Sequence, residues 1–313
     1  MNYKKIFSLV ILTTIIFYAI FLFILDATKL ENYNLIFNTY DHFFVFIFVI
    51  LSWFPLYLRW KLLCRNIEIE IPFRFDFLVY ISGFALSITP GKIGELIRTQ
   101  ILKDKYQIKR SKTTPIIFIE KFYDLLGAVI VSLFGFLFFP QIGLIILTGL
   151  ILTVIIFSIF SSKTVFEKTT IFLSKFKFTK KFAEPLSKSH EILKISTRPK
   201  VFITSIILSV LYWLLITSAV FYILKSVNTN LLGFPEVAST YTTSLFLGAI
   251  SFLPAGLGIT EGSFIGLLHL QGISLSVAAV AVIIIRIFTL WFNVIIGFIA
   301  LKIVGGFSIN HSD

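Results

Sequence analysis

GFALSITPGKIGELIR, residues 83–98, and GAISFLPAGLGITEGSF, residues 248–264, are two renderings of one pattern. In each, an apolar run stops at a proline (Pro90, Pro254). A glycine follows four residues later (Gly94, Gly258), and then an acid (Glu95, Glu261). Further glycines, Gly91 and Gly256, lie inside the two breaks. Proline removes a backbone donor and clashes with the preceding turn, and glycine admits backbone that other residues avoid, so a helix should break at each site. Irregular backbone at membrane depth survives only where it is buried in protein or lines a cavity. Paired interruptions at corresponding places in two halves of a chain point to a transporter's binding site. The expectation is a substrate site inside a membrane.

Composition sets the class. Of 313 residues, 57% are hydrophobic and only 14% charged, with a mean hydropathy of +0.93. So few charged side chains cannot cover a soluble fold with this much apolar surface, and the reading is an all-α polytopic membrane protein. One cysteine, Cys64, excludes an intramolecular disulfide and a cysteine metal cluster. The four histidines, His42, His190, His269 and His311, have no metal-ligand spacing, so neither metal nor cofactor is expected.

The charges orient the spans. A first span is expected over about 6–25, opened by Lys4 and Lys5. A removable signal peptide is the competing reading, but the run is long and no small-residue cleavage site follows it. The acidic loop 26–42 belongs outside. A second span, about 43–63, ends in Arg59 and Lys61, both expected to snorkel to the inner interface. Residues 77–90 reach only ~21 Å as a helix, too short for a ~30 Å hydrocarbon core. Basic residues flank this segment on both sides (Arg65 and Arg74; Arg98, Lys103 and Lys105), so 77–102 is read as a re-entrant helical hairpin on the cytoplasmic side.

Full spans are expected at about 115–138, 141–161, 201–224 and 276–302, with a second re-entrant hairpin at 237–272. The basic loop 162–200 interleaves lysines with Phe166, Phe172, Phe176 and Phe182, which favours an interfacial segment on anionic head groups over a solvated loop. No nucleic-acid recognition module is visible, and the positive-inside rule already accounts for the charge. The sum is a single transmembrane domain, 1–313. About six full helices and two hairpins form an inverted repeat, with halves of about 1–161 and 201–304 and both termini cytoplasmic.

The repeat extends to the charges. Glu95 precedes Glu120 by twenty-five residues, and Glu261 precedes Arg286 by the same interval. Glu120, Lys121 and Asp124 share one helix face. An ionisable residue deep in a span costs roughly 2.5–3.5 kcal/mol on insertion scales and normally faces the bundle interior with a partner. Each has a structural alternative. Glu120 can be solvated or paired with Lys121, Glu95 can be an exposed first-turn acid, and Arg286 can clamp hairpin carbonyls or neutralise Glu261. Trp53, Trp60, Trp213 and Trp291 read as interfacial or packing residues.

The run GFALSITPGKIGELIR, then IEKFYDLLG at 119–127, then LPAGLGITEGSF with Arg286 beyond it, resembles the flippase-like family. This is the transmembrane region of lysylphosphatidylglycerol synthases (multiple peptide resistance factors) and of many stand-alone prokaryotic proteins. The likeness covers roughly residues 5–305. One departure is that the family usually carries Glu-Arg where this chain has Glu120-Lys121, which keeps the charge but loses the planar fork suited to phosphate. The resemblance implies lipid handling, either of aminoacylated phosphatidylglycerol or of polyprenyl-phosphate glycans, in the plasma membrane. The chain ends at Asp313, so no soluble aminoacyl-transferring domain is expected.

Two classes of function follow. In the first, the protein is a lipid translocase: Arg286 and Lys121 hold a lipid phosphate, and Glu95, Glu120 and Glu261, with Asp124 beside them, face cationic groups or carry protons. Its partners are then anionic or phosphate-bearing membrane lipids, with a lipid-modifying enzyme as a possible protein partner. In the second, the protein is an enzyme or enzyme subunit of polyprenyl-phosphate glycan transfer, but the only polar stretch of size, 162–200, is basic and short. An ion-coupled carrier of a small solute also fits the hairpins. The expected activity is transport and not catalysis.

Overall fold

A computed structural model describes residues 39–137, 140–175, 190–227 and 232–306. Every regular element among them is a helix. The expected first span, 6–25, lies outside these residues, as do Phe176 and Phe182 of the basic loop.

Among the described residues, three unbroken stretches stand out as long and apolar enough to cross a membrane: α1 (Thr39–Arg65), α8 (Pro199–Ser226) and the continuous stretch Leu275–Ile303. The last is built from α11 (Leu275–Arg286), a π turn (Ile287–Trp291) and α12 (Phe292–Ile303). Their outward faces are apolar stripes at helical spacing: Ile203, Ile207 and Leu211 on α8, and Ile295, Ile299 and Ile303 on α12. Buried faces hold the polar groups instead, among them Arg59, Arg98, Glu120, Glu261 and Arg286. Apolar side chains outside and ion pairs inside is the arrangement a hydrocarbon solvent favours.

Helix α4 (Arg110–Phe136) has the length of a span at 27 residues, yet Glu120, Lys121 and Asp124 make its sequence too charged to qualify by apolarity. Helix α5 (Gly143–Ser161) is apolar and uncharged over its 19 residues, and it meets α6 (Lys163–Ser174) at a bend of 104° between Gly143–Ile159 and Lys163–Thr169. In the basic loop, Phe166 is buried against the His190 ring, at the start of α7 (His190–Ser196), while Val165, Ile171 and Phe172 stay exposed.

Both proline-broken stretches fold back on themselves. The first runs from α2 (Phe73–Ser82) through two 3₁₀ turns, Gly83–Leu86 and Pro90–Leu96, into α3 (Ile97–Tyr106), which packs beside α2. Gly91 and Lys92 both take left-handed backbone, with φ of 59° and 55°. Thr89 pins the turn: its hydroxyl donates to the Leu86 carbonyl at 2.7 Å and accepts the Gly94 N–H at 2.7 Å. The second runs from α9 (Phe234–Ile250) through a 3₁₀ turn at Pro254–Gly256 into α10 (Ile259–Leu270), again packed side by side. Gly258, at φ 84°, ends the break and starts α10, a conformation that costs other residues about 1–2 kcal/mol.

The two turns touch. Pro90–Leu96 packs against Pro254–Gly256, and the Phe252 ring lies 3.7 Å from where a side chain at Gly91 would begin. The long helices after each break pack crosswise. Helix α4 lies on α9 of the second hairpin, where Ser132 and Thr242 share a hydroxyl hydrogen bond of 2.6 Å and Gly135 leaves room for Ser239. Helix α12 lies on the first hairpin, where Gly297 leaves room for the backbone at Phe84 and Ala85.

Candidate functional site

Below the first turn lies a chain of charges. Glu95, at the end of the 3₁₀ turn, accepts Lys121 Nζ on both carboxylate oxygens at 2.8 Å and Arg98 Nη2 at 3.0 Å. The same Arg98 nitrogen donates to Glu120 Oε2 at 2.7 Å. Lys121 also stands 3.6 Å from Asp124, whose other oxygen accepts Arg59 Nη2 at 2.6 Å. Arg59 continues to the Ser209 hydroxyl on α8 at 2.5 Å, and Trp213 of the same helix donates to the Asp124 carbonyl at 2.8 Å. Five elements are thereby fixed to one another: the first turn, α3, α4, α1 and α8.

Glu120 and Arg98 are both about 1% exposed, and removing either leaves an uncompensated buried charge. Arg98 is further enclosed by the rings of Trp60 and Tyr80, whose centroids lie 4.6 and 5.0 Å from its guanidinium carbon. Trp60 donates in turn to the buried Asp76 at 2.9 Å, and Tyr57 does so at 3.1 Å. Three polar atoms inside the array have no hydrogen-bond partner among the described residues: Arg59 Nε, Arg98 Nη1 and Glu120 Oε1.

The second turn is held more simply. Glu261 is fully buried; one oxygen accepts Arg286 Nε at 2.7 Å and the other the Gly258 N–H at 2.8 Å. Arg286 Nη2 donates to the Ala255 carbonyl in the turn at 2.7 Å. A carboxylate at the third residue of α10 that reaches back to the Gly258 N–H satisfies one free donor at the helix start, the half of a capping box open to a glycine cap.

All six acidic and basic residues singled out from the sequence thus sit at the two breaks, four around the first and two around the second. Glu95 is buried and not an exposed first-turn acid, and Glu120 is buried and pairs with Arg98 instead of Lys121. Pro90, Gly91 and Gly94 shape the first turn, and Pro254, Gly256 and Gly258 the second; Gly256 lies in close approach to Gly248 of α9. Sequence reasoning missed three cations. Arg59, expected to snorkel to the interface, is 1% exposed, because Asp124 and Ser209 hold it inside the bundle. Arg98 read as one more charge of a basic flank. Lys92 stands exposed at the first tip, within electrostatic reach of Glu95, Asp124, Lys121 and Arg286. Helical spacing was the available signal for Arg98, which lies three residues beyond Glu95.

An all-helical, multi-pass membrane protein with paired broken segments is the class that this fold defines. The chain belongs to the family of the lysylphosphatidylglycerol synthase transmembrane region, whose family model matches residues 6–297. It is similar to a UPF0104 membrane protein of Methanocaldococcus jannaschii, 28% identical over 233 residues that cover 71% of this chain and 94% of that protein. A UPF0104 membrane protein of Methanothermobacter thermautotrophicus is 23% identical over 283 residues, 82% of this chain and 83% of the relative.

Proposed function

We propose that the protein is a lipid translocase of the cytoplasmic membrane, which moves a phosphate-bearing lipid between leaflets without making or breaking covalent bonds. The observation that carries this reading is the meeting of the two turns, each tied by a carboxylate–cation pair to the long helix that follows it. In this reading the hairpins are re-entrant and enter from opposite faces, six full spans surround them, and both termini are cytoplasmic. Their helix lengths support it: 10 and 10 residues in the first hairpin, 17 and 12 in the second, against the ~20 that a full crossing needs. The crosswise packing of α4 on the second hairpin and α12 on the first supports an inverted repeat, since a two-fold axis in the membrane plane exchanges these contacts.

Alternating access then works by loosening one tip at a time. Protonation of Glu95 releases Lys121, which is 28% exposed, toward a passing phosphate; protonation of Glu261 does the same for Arg286. Glu120 passes the proton within the first array. Transport is passive or proton-coupled, and membrane lipids are the partners, with a lipid-modifying enzyme supplying or consuming the cargo.

The test is reconstitution of the purified full chain into liposomes that contain labelled phosphatidylglycerol, its lysyl derivative or a polyprenyl phosphate, with leaflet accessibility followed in time. Acceleration above protein-free liposomes for at least one lipid is the expected result. No acceleration for any of the three, with or without a pH gradient, moves the reading to a membrane subunit of polyprenyl-phosphate glycan transfer.

A further inference from the structure

We infer that the junction of the two tips selects a lipid with a net-anionic phosphate head group over an aminoacylated, cationic one, and that Lys92 makes the selection. The inference rests on the lipid reading above and adds the sign of the cargo's charge.

Among the described residues, five cations and four carboxylates gather around the junction: Arg59, Lys92, Arg98, Lys121 and Arg286 against Glu95, Glu120, Asp124 and Glu261. Each carboxylate already has a cation within 3.0 Å. Glu95 has both oxygens on Lys121, Glu120 and Glu261 are buried, and Asp124, whose side chain is 20% exposed, is held by Arg59. Asp76 lies buried behind Trp60 and takes its hydrogen bonds from neutral donors. A cationic head group therefore finds no open carboxylate among the described residues of the junction.

Lys92 is the opposite case. It is exposed, and no carboxylate of the described residues lies within 4.0 Å of its ammonium. Among the described residues of the junction one positive charge is left without a carboxylate beside it, and it belongs to this side chain. Its backbone is left-handed, a conformation that costs a lysine about 1 kcal/mol or more and that tends to persist where function requires it. The residue at the matching place in the second turn, two after the proline, is Gly256, so only one tip carries the cation.

Beside it the second tip presents apolar side chains: Phe252 is 70% exposed and Leu253 44%. A free cation next to exposed apolar surface suits an amphiphile, with the phosphate on the ammonium and the acyl or prenyl chain along Phe252 and Leu253. A free phosphate would use only the first of these. Phosphatidylglycerol and polyprenyl phosphates fit; lysyl-phosphatidylglycerol, with two ammonium groups against one phosphate, does not.

The test is equilibrium competition on the full chain in a neutral detergent, with phosphatidylglycerol carrying a fluorescent acyl chain as probe. The competitors are phosphatidylglycerol, lysyl-phosphatidylglycerol, phosphatidylcholine and glycerol 3-phosphate. Phosphatidylglycerol should compete about tenfold better than the lysyl derivative and phosphatidylcholine, and glycerol 3-phosphate should not compete at matched concentration. Lys92→Gln should bring the phospholipids to parity, and Lys92→Arg should keep the preference. Equal or better competition by lysyl-phosphatidylglycerol, or an unchanged preference in Lys92→Gln, overturns the inference. Competition by glycerol 3-phosphate as strong as that of the lipid overturns the amphiphile. Because the readout is binding, selective binding without transport in liposomes sinks the translocase and leaves this site standing. Transport without selectivity does the reverse.

Discussion

The two broken hairpins share a backbone plan and differ in how their charges are wired. Around the second, one arginine meets one carboxylate and one turn carbonyl, and the position three residues beyond Glu261 is the buried Phe264, packed on Tyr241. Around the first, the position three beyond Glu95 is Arg98, and the pair grows into an array reaching α1, α4 and α8. An ion pair sealed in a helix start behaves as a clamp. A chain of shared protons and charges can be rearranged one link at a time. The difference teaches that the same broken backbone occurs twice, while the wider charge array and the exposed Lys92 belong to the first break.

If that contrast is right, Arg98→Ala should have the largest effect on stability, about 3–5 kcal/mol, because it strands the buried Glu120 and takes from Glu95 one of its two cations, leaving it Lys121 alone. Thermal unfolding in detergent measures it, and Arg98→Lys should recover part of the loss, keeping the charge without the fork. Arg286→Ala should cost somewhat less, about 3 kcal/mol, since it strands only Glu261, while abolishing transport in liposomes with the protein still inserted. Full transport by this variant would reduce Arg286 to a structural clamp. The crosswise packing gives a sharper comparison: Gly135→Ala and Gly297→Ala should each cost about 1–3 kcal/mol, and by similar amounts if the two contacts are true counterparts. Lys92→Gln should change stability least, by no more than about 0.5 kcal/mol, because its side chain is exposed and unpaired.

The breaks were legible in the sequence because their causes are local: a proline, then glycines where the backbone turns left-handed or another segment comes close. The acids were legible because Glu95 with Glu120, and Glu261 with Arg286, recur at one spacing. Arg59 and Arg98 were not, since a cation near a span end carries the same signal whether it snorkels to lipid phosphate or is drawn inward by a carboxylate. Asp124 and Ser209, 65 and 150 residues further along the chain, decide the matter for Arg59. Of the six expected spans, 43–63, 201–224 and 276–302 stand out by length and apolarity, whereas 115–138 is hidden by the very charges that build the site.

The most direct test of the account is the face from which each hairpin enters. Single cysteines are placed at the exposed Arg74 and Asp104, which flank the first hairpin, and at Gly233 and Ser274, which flank the second. They are read with a membrane-impermeant maleimide in cells and in inverted vesicles; Cys64 is buried and gives little background. Arg74→Cys and Asp104→Cys should label only from the cytoplasmic face, and Gly233→Cys and Ser274→Cys only from the outside. Labelling of either pair from opposite faces would make that hairpin a pair of crossings and contradict the inverted repeat on which the translocation site depends.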